Sequence, residues 1–385
     1  MLLRQGIAAA LIDDSAWMLA DSVSRFVRAE ILAAERSCEP EATGLPKEVI
    51  RDLRIKAREL GFWYLDTPCE FGGAGLGALQ MALLLEAGSV HKFCFPSMGA
   101  GAFGWSPPVA LFGARTDQIE KFLKPAIANG WSTFTAMAES TGGSDPARAI
   151  RTTARKTSHG YVLNGGKMWI TGVPEARFGT VYARTEVGVS AFIVETDTSG
   201  LSFRKLSTIR DSATYEIRFD DCLVPLDNLI GQEGGGFELA KGWLQKARLS
   251  IAARCLGMAE EAFSLAREWA GTREMFGKPL GSFQASQFAM ADSRIEIDAA
   301  RLLVWNAARL IDDGADAGIA VASAKLCAVE MAARVLDRCT QLFGAMGLSR
   351  ELPLESWTRS VRVSRVVEGS SEVLRTMIGR QQLRR

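Results

Sequence analysis

The first third of the chain spaces its hydrophobic residues as an amphipathic helix does. In residues 15–35 the apolar side chains include Trp17, Val23, Phe26, Val27 and Ile31, with polar residues between them. A similar spacing recurs in three later stretches, namely residues 46–65, 72–89 and 115–130. The pattern therefore predicts an N-terminal helical region that ends near residue 130.

The pattern changes to that of strands between residues 131 and 235. β-branched and aromatic residues are enriched here, and turn residues separate the apolar runs. In residues 160–171 an Asn164-Gly165 pair lies between two such runs, which predicts a β-hairpin with its turn at that pair. Residues 189–206 and 213–225 predict further strands.

From residue 236 to the end, the helical spacing returns in long pieces. Each of three stretches predicts a long helix: residues 236–273, 286–314 and 317–347. Long helices with short connections are typical of a helical bundle. We therefore predict a mainly α fold with a middle β domain, divided into residues 1–130, 131–235 and 236–385. Helices and strands do not alternate, which argues against a doubly wound α/β sheet.

Composition and charge disfavour several classes of partner. The chain has 385 residues, of which 48% are apolar and 23% charged, and its net charge of +1 gives no reason to expect nucleic acid or an anionic membrane surface. No apolar run has the length of a membrane-spanning helix, so we expect no membrane insertion. The opening MLLRQGIAAALIDD is interpreted as the lead-in to a first helix rather than a secretion signal.

The cysteines and histidines indicate a reduced protein without a metal site. The seven Cys are widely spaced, odd in number and form no CxxC motif, which is typical of free thiols in a reducing compartment. The two His, His91 and His159, lie far apart in the sequence, which disfavours a His-based metal site or a catalytic triad. We expect a bacterial cytoplasmic protein, with the mitochondrial matrix as the alternative.

Two glycine-rich loops match nucleotide-binding loops only in part. GGAGLG does not complete the GxGxxG motif, because Gln80 stands where its last glycine is required. GQEGGGFE lacks the lysine of a phosphate-binding loop. If the protein binds a nucleotide cofactor, it does so without either of those folds.

Six motifs, in the same order as in that family, resemble the acyl-CoA dehydrogenases. They are MAESTGGSD (137–145), GGKMWITG (165–172), VPLDNLIGQEGGGF (224–237), REMFGKPLGSFQ (273–284), QLFGAMG (341–347) and VVEGSSE (366–372). One such match is weak evidence, but the ordered set is strong. The resemblance covers nearly the whole chain.

The resemblance implies a cofactor, a substrate and an assembly. It implies FAD, an acyl-CoA substrate of fatty acid metabolism that loses hydrogens from Cα and Cβ, and electron-transfer flavoprotein as the electron acceptor. The implied fold is an N-terminal helical domain, a middle β domain that is barrel- or sandwich-like, and a C-terminal four-helix bundle. The implied assembly is a homotetramer built as a dimer of dimers.

Glu368 matches the catalytic base of the resembled family. Removal of the weakly acidic hydrogen beside a thioester requires a base held against it. Two valines before Glu368 predict a dry wall that raises its pKa, and Gly369 lets a ligand come close. The family's second base position corresponds to Ala247, which cannot accept a proton. The alternative interpretation is a solvated glutamate at a helix start.

The remaining site residues follow from the same resemblance. The implied cofactor-binding residues are Ser144, Trp169, Ile170, Thr171, Arg273, Phe276, Gln284, Gln341, Gly344, Ser370 and Glu372. Thr171 would hydrogen-bond the flavin, Arg273 the pyrophosphate, and some of the glutamine contacts would reach a neighbouring subunit's cofactor. The implied substrate-binding residues are Ser144, Gln245, Arg248 and Gly369.

Several positions depart from the family pattern. Ala138 replaces a threonine, so one hydroxyl that the resemblance implies near the flavin is missing. Ser140 replaces a proline, and Ala345 replaces a glycine. Ser370 replaces a threonine but keeps the hydroxyl.

Three alternatives to a dehydrogenase stay open at this stage. An oxygen-using acyl-CoA oxidase is compatible with the same motifs. A flavin monooxygenase has no need of a base such as Glu368, and a catalytically silent FAD- or CoA-binding relative is disfavoured by the intact motifs. The motifs do not specify the acyl chain of the substrate.

Arg359, Arg362 and Arg365 form a basic row at helical spacing. The row either binds an acidic partner or is a solvated charged face.

Overall fold

A computed structural model describes residues 12–95, 97–105, 107–209 and 213–383. The chain forms two compact units. The first comprises the described residues of Met1–Phe62, Leu76–Ala102 and Lys246–Arg385, and the second those of Trp63–Gly75 and Phe103–Gln245. Most of the opening segment interpreted as the lead-in to a helix lies outside the described residues. The division at residues 130 and 235 stays a prediction.

The N-terminal region is helical, as its spacing predicts. Its α-helices are α1 (Asp14–Phe26), α2 (Leu32–Arg36), α3 (Lys47–Glu59), α4 (Ala78–Gly88), α5 (Thr116–Gln118) and α6 (Lys124–Asn129). A π-helical segment, Val27–Ile31, joins α1 to α2, and a second one, Ile119–Leu123, joins α5 to α6. α1 begins after Asp13, whose carboxylate accepts a hydrogen bond from Ala16 N at 2.7 Å.

The C-terminal region consists of long helices, again as predicted. They are α8 (Gly236–Thr272), α9 (Gln284–Asp312), α10 (Gly318–Phe343), α11 (Leu354–Ser364) and α12 (Ser371–Gln382), while the short α7 (Pro146–Ala149) precedes them in the β region. Two short strands, β9 (Glu274–Met275) and β10 (Lys278–Pro279), form a turn between α8 and α9. In the part of the chain described here, no helix is both long and apolar enough to cross a bilayer.

A buried arginine connects three helices of the first unit. Arg301 on α9 pairs with Glu86 of α4 at 2.7 Å, with Glu260 of α8 at 2.6 Å and with Asp298 at 2.8 Å. Burial alone would raise the pKa of Glu260, but Arg294 and Arg301 outweigh it and lower that pKa to about 2. The charges are therefore paired, and they fix the packing of α4, α8 and α9.

The second unit contains an eight-stranded sheet. Its strands are β1 (Ser132–Ala136), β2 (Thr153–Thr157), β3 (Gly160–Thr171), β4 (Ala176–Arg184), β5 (Val189–Glu195), β6 (Leu201–Leu206), β7 (Thr214–Val224) and β8 (Leu229–Ile230). The order is β6-β7-β3-β2-β4-β5-β8, with β1 parallel to β4. Phe219 of β7 and Val194 of β5 belong to the same buried core, although β3, β2 and β4 lie between these two strands in the sheet. The sheet therefore curls around that core.

The predicted hairpin turn at Asn164-Gly165 is wrong. β3 runs through both residues, and the turn from β2 to β3 lies earlier, before Gly160. The pair instead forms a bulge against β7, where the Asn164 side chain donates to the Asp221 carboxylate and accepts from Asp221 N, both at 2.9 Å. Gly165 has a φ of +141°, and a Cβ there would lie 2.7 Å from Thr152 Cα. An Asn-Gly pair therefore supplied a bulge where a turn was expected.

Candidate active site

The loop between α11 and α12 has a left-handed backbone at two consecutive residues. Glu368 has a φ of +55° and Gly369 a φ of +98°. Glycine adopts such angles without steric cost, whereas a glutamate is strained there. α12 follows directly, and the Ser370 hydroxyl accepts a hydrogen bond from Val373 N at 3.4 Å. The chain therefore turns sharply at Glu368, which is half-buried.

Two cationic side chains bind the carbonyl oxygens of this turn. The Nζ of Lys325, on α10, donates to Gly369 O at 2.7 Å and also to Val367 O. The Nε of Arg248, on α8, donates to Glu368 O at 2.8 Å. All three carbonyls from residue 367 to residue 369 are thus satisfied by side chains of the bundle. These contacts hold the strained turn in one conformation.

The same cations determine the electrostatics around Glu368. Burial lowers the pKa of Lys325 to about 8, and the charge of Glu368 opposes that shift. Burial likewise lowers the pKa of Arg248 and of Arg254, and Glu368 again opposes the shift. All three cations therefore attract the Glu368 carboxylate. The dry wall expected from the valines is wrong in part, because Val366 is 55% exposed.

Two of the four predicted substrate residues lie together. A Cβ added to Gly369 would lie 3.2 Å from an Nη of Arg248, so the glycine leaves room for the guanidinium. Gln245 is half-buried on the same helix as Arg248, one turn earlier. Ser144 lies in the second unit, exposed in the loop before α7. The binding of substrate by these residues stays a prediction.

The predicted flavin segment lies at the end of β3 in the second unit. Its pairing with β7 is irregular between Lys167 and Ile170. Trp169 has a φ of +65° and is 56% exposed, whereas Ile170 is buried and Thr171 is half-buried. The irregular pairing therefore turns a large indole outward from a strand whose next side chain packs into the core.

A buried ion pair behind this segment was not predicted from the sequence. The Nζ of Lys167 donates to Glu139 Oε1 at 2.7 Å and to Met137 O at 3.1 Å, and neither charged side chain is more than 5% exposed. Thr152 donates to the same carboxylate through its hydroxyl at 2.7 Å, and Arg151 N donates to Oε2 at 2.7 Å. A signal was available, because a lysine among the buried residues of a strand requires a partner.

The ion pair connects two of the recognised motifs. Glu139 belongs to the 137–145 loop that carries Ser144, and Lys167 belongs to β3, which ends in Trp169 and Thr171. Burial lowers the pKa of Lys167 to about 8. Burial alone would raise the pKa of Glu139, but the hydrogen bond and charge of Lys167 outweigh it, so that pKa lies below its usual value. The loop and the strand are therefore fixed to one another by a charged pair.

The other predicted cofactor residues lie at helix ends and loops of the first unit. Arg273 directly follows α8 and its guanidinium lies 5.6 Å from the ring centroid of Trp269. Phe276, between β9 and β10, has a φ of +50° and is 88% exposed. The remaining residues are Gln284, which begins α9, Gln341 in the last turn of α10, Gly344 just after that helix, and Ser370 and Glu372 at the start of α12.

Comparison with known proteins identifies the family. Three family models match the chain: "Acyl-CoA dehydrogenase, N-terminal domain" over residues 13–130, "Acyl-CoA dehydrogenase, middle domain" over residues 135–222, and "Acyl-CoA dehydrogenase, C-terminal domain" over residues 234–383. The chain belongs to the acyl-CoA dehydrogenase family. The resemblance drawn from the six motifs is thereby confirmed.

Individual acyl-CoA dehydrogenases match over most of their length. The human mitochondrial short-chain specific acyl-CoA dehydrogenase is 36% identical over 364 residues, which are 91% of this chain and 87% of the relative. The structure of butyryl-CoA dehydrogenase from Megasphaera elsdenii matches with a TM-score of 0.85 and 29% identity, over 97% of this chain and 99% of that one. The protein is therefore an oxidoreductase of this family, and the predicted fold class is confirmed.

Acyl-CoA dehydrogenases are FAD-binding flavoproteins, and FAD is the cofactor here. A glutaryl-CoA dehydrogenase from Mycobacterium smegmatis in complex with FADH2 matches with a TM-score of 0.86 and 25% identity, over 98% of this chain and 96% of that one. The residues present fit FAD. In the second unit Trp169 exposes a large aromatic ring. In the first unit Phe276 exposes another, and three residues before it lies Arg273, whose guanidinium is a group suited to phosphate.

Proposed function

We propose that the protein is an FAD-dependent acyl-CoA dehydrogenase in which Glu368 removes the α-proton of the acyl thioester. The observation that carries this proposal is the strained Glu368 turn, whose three carbonyls are bound by Lys325 and Arg248. Strain of this kind persists only where the surroundings enforce it, and it concentrates at functional sites. A glutamate that merely solvated a helix start would need no such support.

The residues of the turn account for the proton transfer. The α-hydrogen is weakly acidic, so its removal requires a carboxylate at a fixed distance and orientation. Arg248 and Lys325 bind the carbonyls of the turn and so hold the backbone that carries the Glu368 carboxylate. Bound FAD supplies the acceptor for the β-hydride. Ala247, at the alternative base position on α8, offers no proton acceptor, which leaves Glu368 as the base.

We also propose the substrate class, the electron acceptor and the assembly. Short acyl chains are the first candidates, because the human relative is named short-chain specific and the Megasphaera elsdenii protein is named butyryl-CoA dehydrogenase. Electron-transfer flavoprotein as acceptor and a homotetramer follow from the family resemblance. A bacterial cytoplasmic location, with the mitochondrial matrix as the alternative, follows from the pattern of free cysteines. The implied cofactor contacts of Gln284, Gln341, Gly344, Ser370 and Glu372 belong to the same proposal.

The test is an anaerobic titration of the purified yellow protein with acyl-CoAs of increasing chain length, read by flavin absorbance. We expect butyryl-CoA or another short acyl-CoA to bleach the flavin of the wild type. Glu368→Gln should keep its flavin but bleach at least about 100-fold more slowly, the lower range for loss of a general base. Glu351→Gln, which alters an exposed glutamate of the same unit, is the matched control and should bleach normally.

Two results would redirect the proposal. Wild-type protein that binds FAD but is bleached by no acyl-CoA would instead favour the silent relative. Bleached enzyme that is reoxidised by oxygen with peroxide release, faster than by electron-transfer flavoprotein, would favour the oxidase. Reoxidation by electron-transfer flavoprotein with little peroxide supports the dehydrogenase.

A further inference from the structure

Lys325 is fully buried, yet its hydrogen bonds go to backbone oxygens that flank Glu368. The Nζ donates to the carbonyl before Glu368 and to the carbonyl after it, those of Val367 and Gly369. A buried ammonium carries a desolvation cost and usually pairs with a carboxylate. Here its two donated bonds join the ends of one strained turn, and that turn contains the proposed base.

One backbone hydrogen bond also closes the turn, from Ser371 N to Arg365 O at 3.1 Å, but it binds none of the three carbonyls from residue 367 to residue 369. Glu368 and Gly369 both have left-handed φ angles, so the backbone forms no regular helix between Arg365 and Ser371. Arg248 binds only the middle carbonyl, that of Glu368 itself. With Lys325 removed, the two outer carbonyls would lose their donor, and the backbone would be free to relax toward an unstrained conformation.

We propose that Lys325 is a positioning residue for the catalytic glutamate: by binding the carbonyls on both sides of Glu368, it fixes the direction in which the carboxylate points. The inference rests on the proposed function, because it assumes that Glu368 is the base. It assigns a role in the reaction to a lysine on α10 that no sequence motif indicates and that need not touch the substrate.

The charge of Lys325, like its hydrogen bonds, supports a role in positioning Glu368. The charged and titratable groups coupled to it are Glu368 on the loop and Arg248 and Cys255 on α8, and Arg254 on α8 is coupled to Glu368 as well. Burial lowers the pKa of Lys325 to about 8, so the ammonium predominates below that pH. Removal of this cation should therefore make Glu368 easier to protonate.

The test compares Lys325→Met and Lys325→Gln with wild type by anaerobic stopped-flow reduction of the flavin at saturating acyl-CoA. We expect the Met variant to be slower by about 100-fold, the effect of a base displaced by about 1 Å. Its substrate Kd should change less than about threefold, because binding does not depend on the base. The acid limb of its pH profile should move to higher pH by about one unit.

Lys325→Gln separates hydrogen bonding from charge, and it serves in place of the Met variant if that protein does not fold. Its amide can still donate to the carbonyls, so we expect a smaller loss of rate with the same movement of the acid limb. Val335→Ala, a cavity substitution at a fully buried position further along α10, controls for loss of stability alone. It should leave both the reduction rate and the acid limb unchanged.

Each outcome decides the matter. If Glu368→Gln is slow but both Lys325 variants reduce their flavin within about threefold of wild type, the positioning role is overturned and the proposed function stands. The role is overturned equally if Val335→Ala reproduces the loss of rate and the movement of the acid limb. If Glu368→Gln itself keeps the wild-type rate, the base assignment fails and the role of Lys325 fails with it.

Discussion

Lys167→Met should destabilise the protein strongly, because it leaves the carboxylate of Glu139 buried without its cation. The Lys167 Nζ lies 2.7 Å from Glu139 Oε1, and the exposed fractions of the two side chains are 0% and 5%. Loss of one partner of a buried pair typically costs 3–5 kcal/mol. Thr152 and Arg151 would still donate to the carboxylate, so we expect about 3 kcal/mol, the lower end of that range.

The assay is urea unfolding of wild type, Lys167→Met, Glu139→Gln and the double variant, read by fluorescence and by circular dichroism. The double variant buries two neutral side chains, so it should lose about 2 kcal/mol less than the sum of the single variants. The pKa of Glu139 is held down by Lys167, so its contribution to stability is present above about pH 4.5 and is lost as the pH falls through that lowered pKa. The deficit of Lys167→Met should therefore be smaller at pH 3 than at pH 7.

Three results would refute this reasoning: a cost of Lys167→Met below about 1 kcal/mol, additivity of the two substitutions, or a deficit independent of pH. A functional consequence can be measured on the same samples. Because the pair joins the loop that carries Ser144 to the strand that carries Trp169, Lys167→Met should also lose FAD more readily during dialysis than wild type.

Three further predictions concern close packing, pH and the turn at the candidate base. Gly257→Ala should lower the free energy of unfolding by about 1–3 kcal/mol in urea titrations, because its Cβ would lie 2.3 Å from Glu86 O. Burial raises the pKa of Glu35 to about 7, so the folded state binds an extra proton between pH 4.5 and 7 and loses stability as the pH rises through that range. In thermal unfolding, the stability of Glu35→Gln relative to wild type should therefore increase between pH 5 and pH 8, by at most about 3 kcal/mol. Gly369→Ala, with a φ of +98°, should reduce its flavin at least about tenfold more slowly, whereas Gly379→Ala, with open space around its Cβ, should match wild type.

Much of the fold could be predicted because hydrophobic spacing reports burial directly. The stretches around Phe26, Leu256 and Val329 place apolar residues at helical intervals, and each of these residues is buried on a helix. The Asn164-Gly165 pair failed for a physical reason. The same left-handed preference that forms a tight turn also permits a bulge, and only the partner strand, through Asp221, decides between them.

The candidate site could be predicted only as far as local motifs reach. Glu368 and Trp169 were found because they lie within recognisable segments. Lys325, Glu139 and Lys167 act through contacts between residues distant in sequence, and no local pattern reveals which carbonyl or carboxylate a lysine will meet. The expected dry wall failed similarly, because two adjacent valines do not indicate which side of a loop faces solvent.

The most direct measurement of the central claim is deuterium uptake at the acyl α-carbon in D2O. A 3-thia-acyl-CoA suits this purpose, because sulfur at the β-position carries no hydrogen to transfer and only the proton step remains. We predict rapid exchange by wild-type enzyme, followed by mass spectrometry, and exchange at least about 100-fold slower by Glu368→Gln with FAD still bound. Exchange by that variant within about threefold of wild type would contradict the assignment of Glu368 as the base.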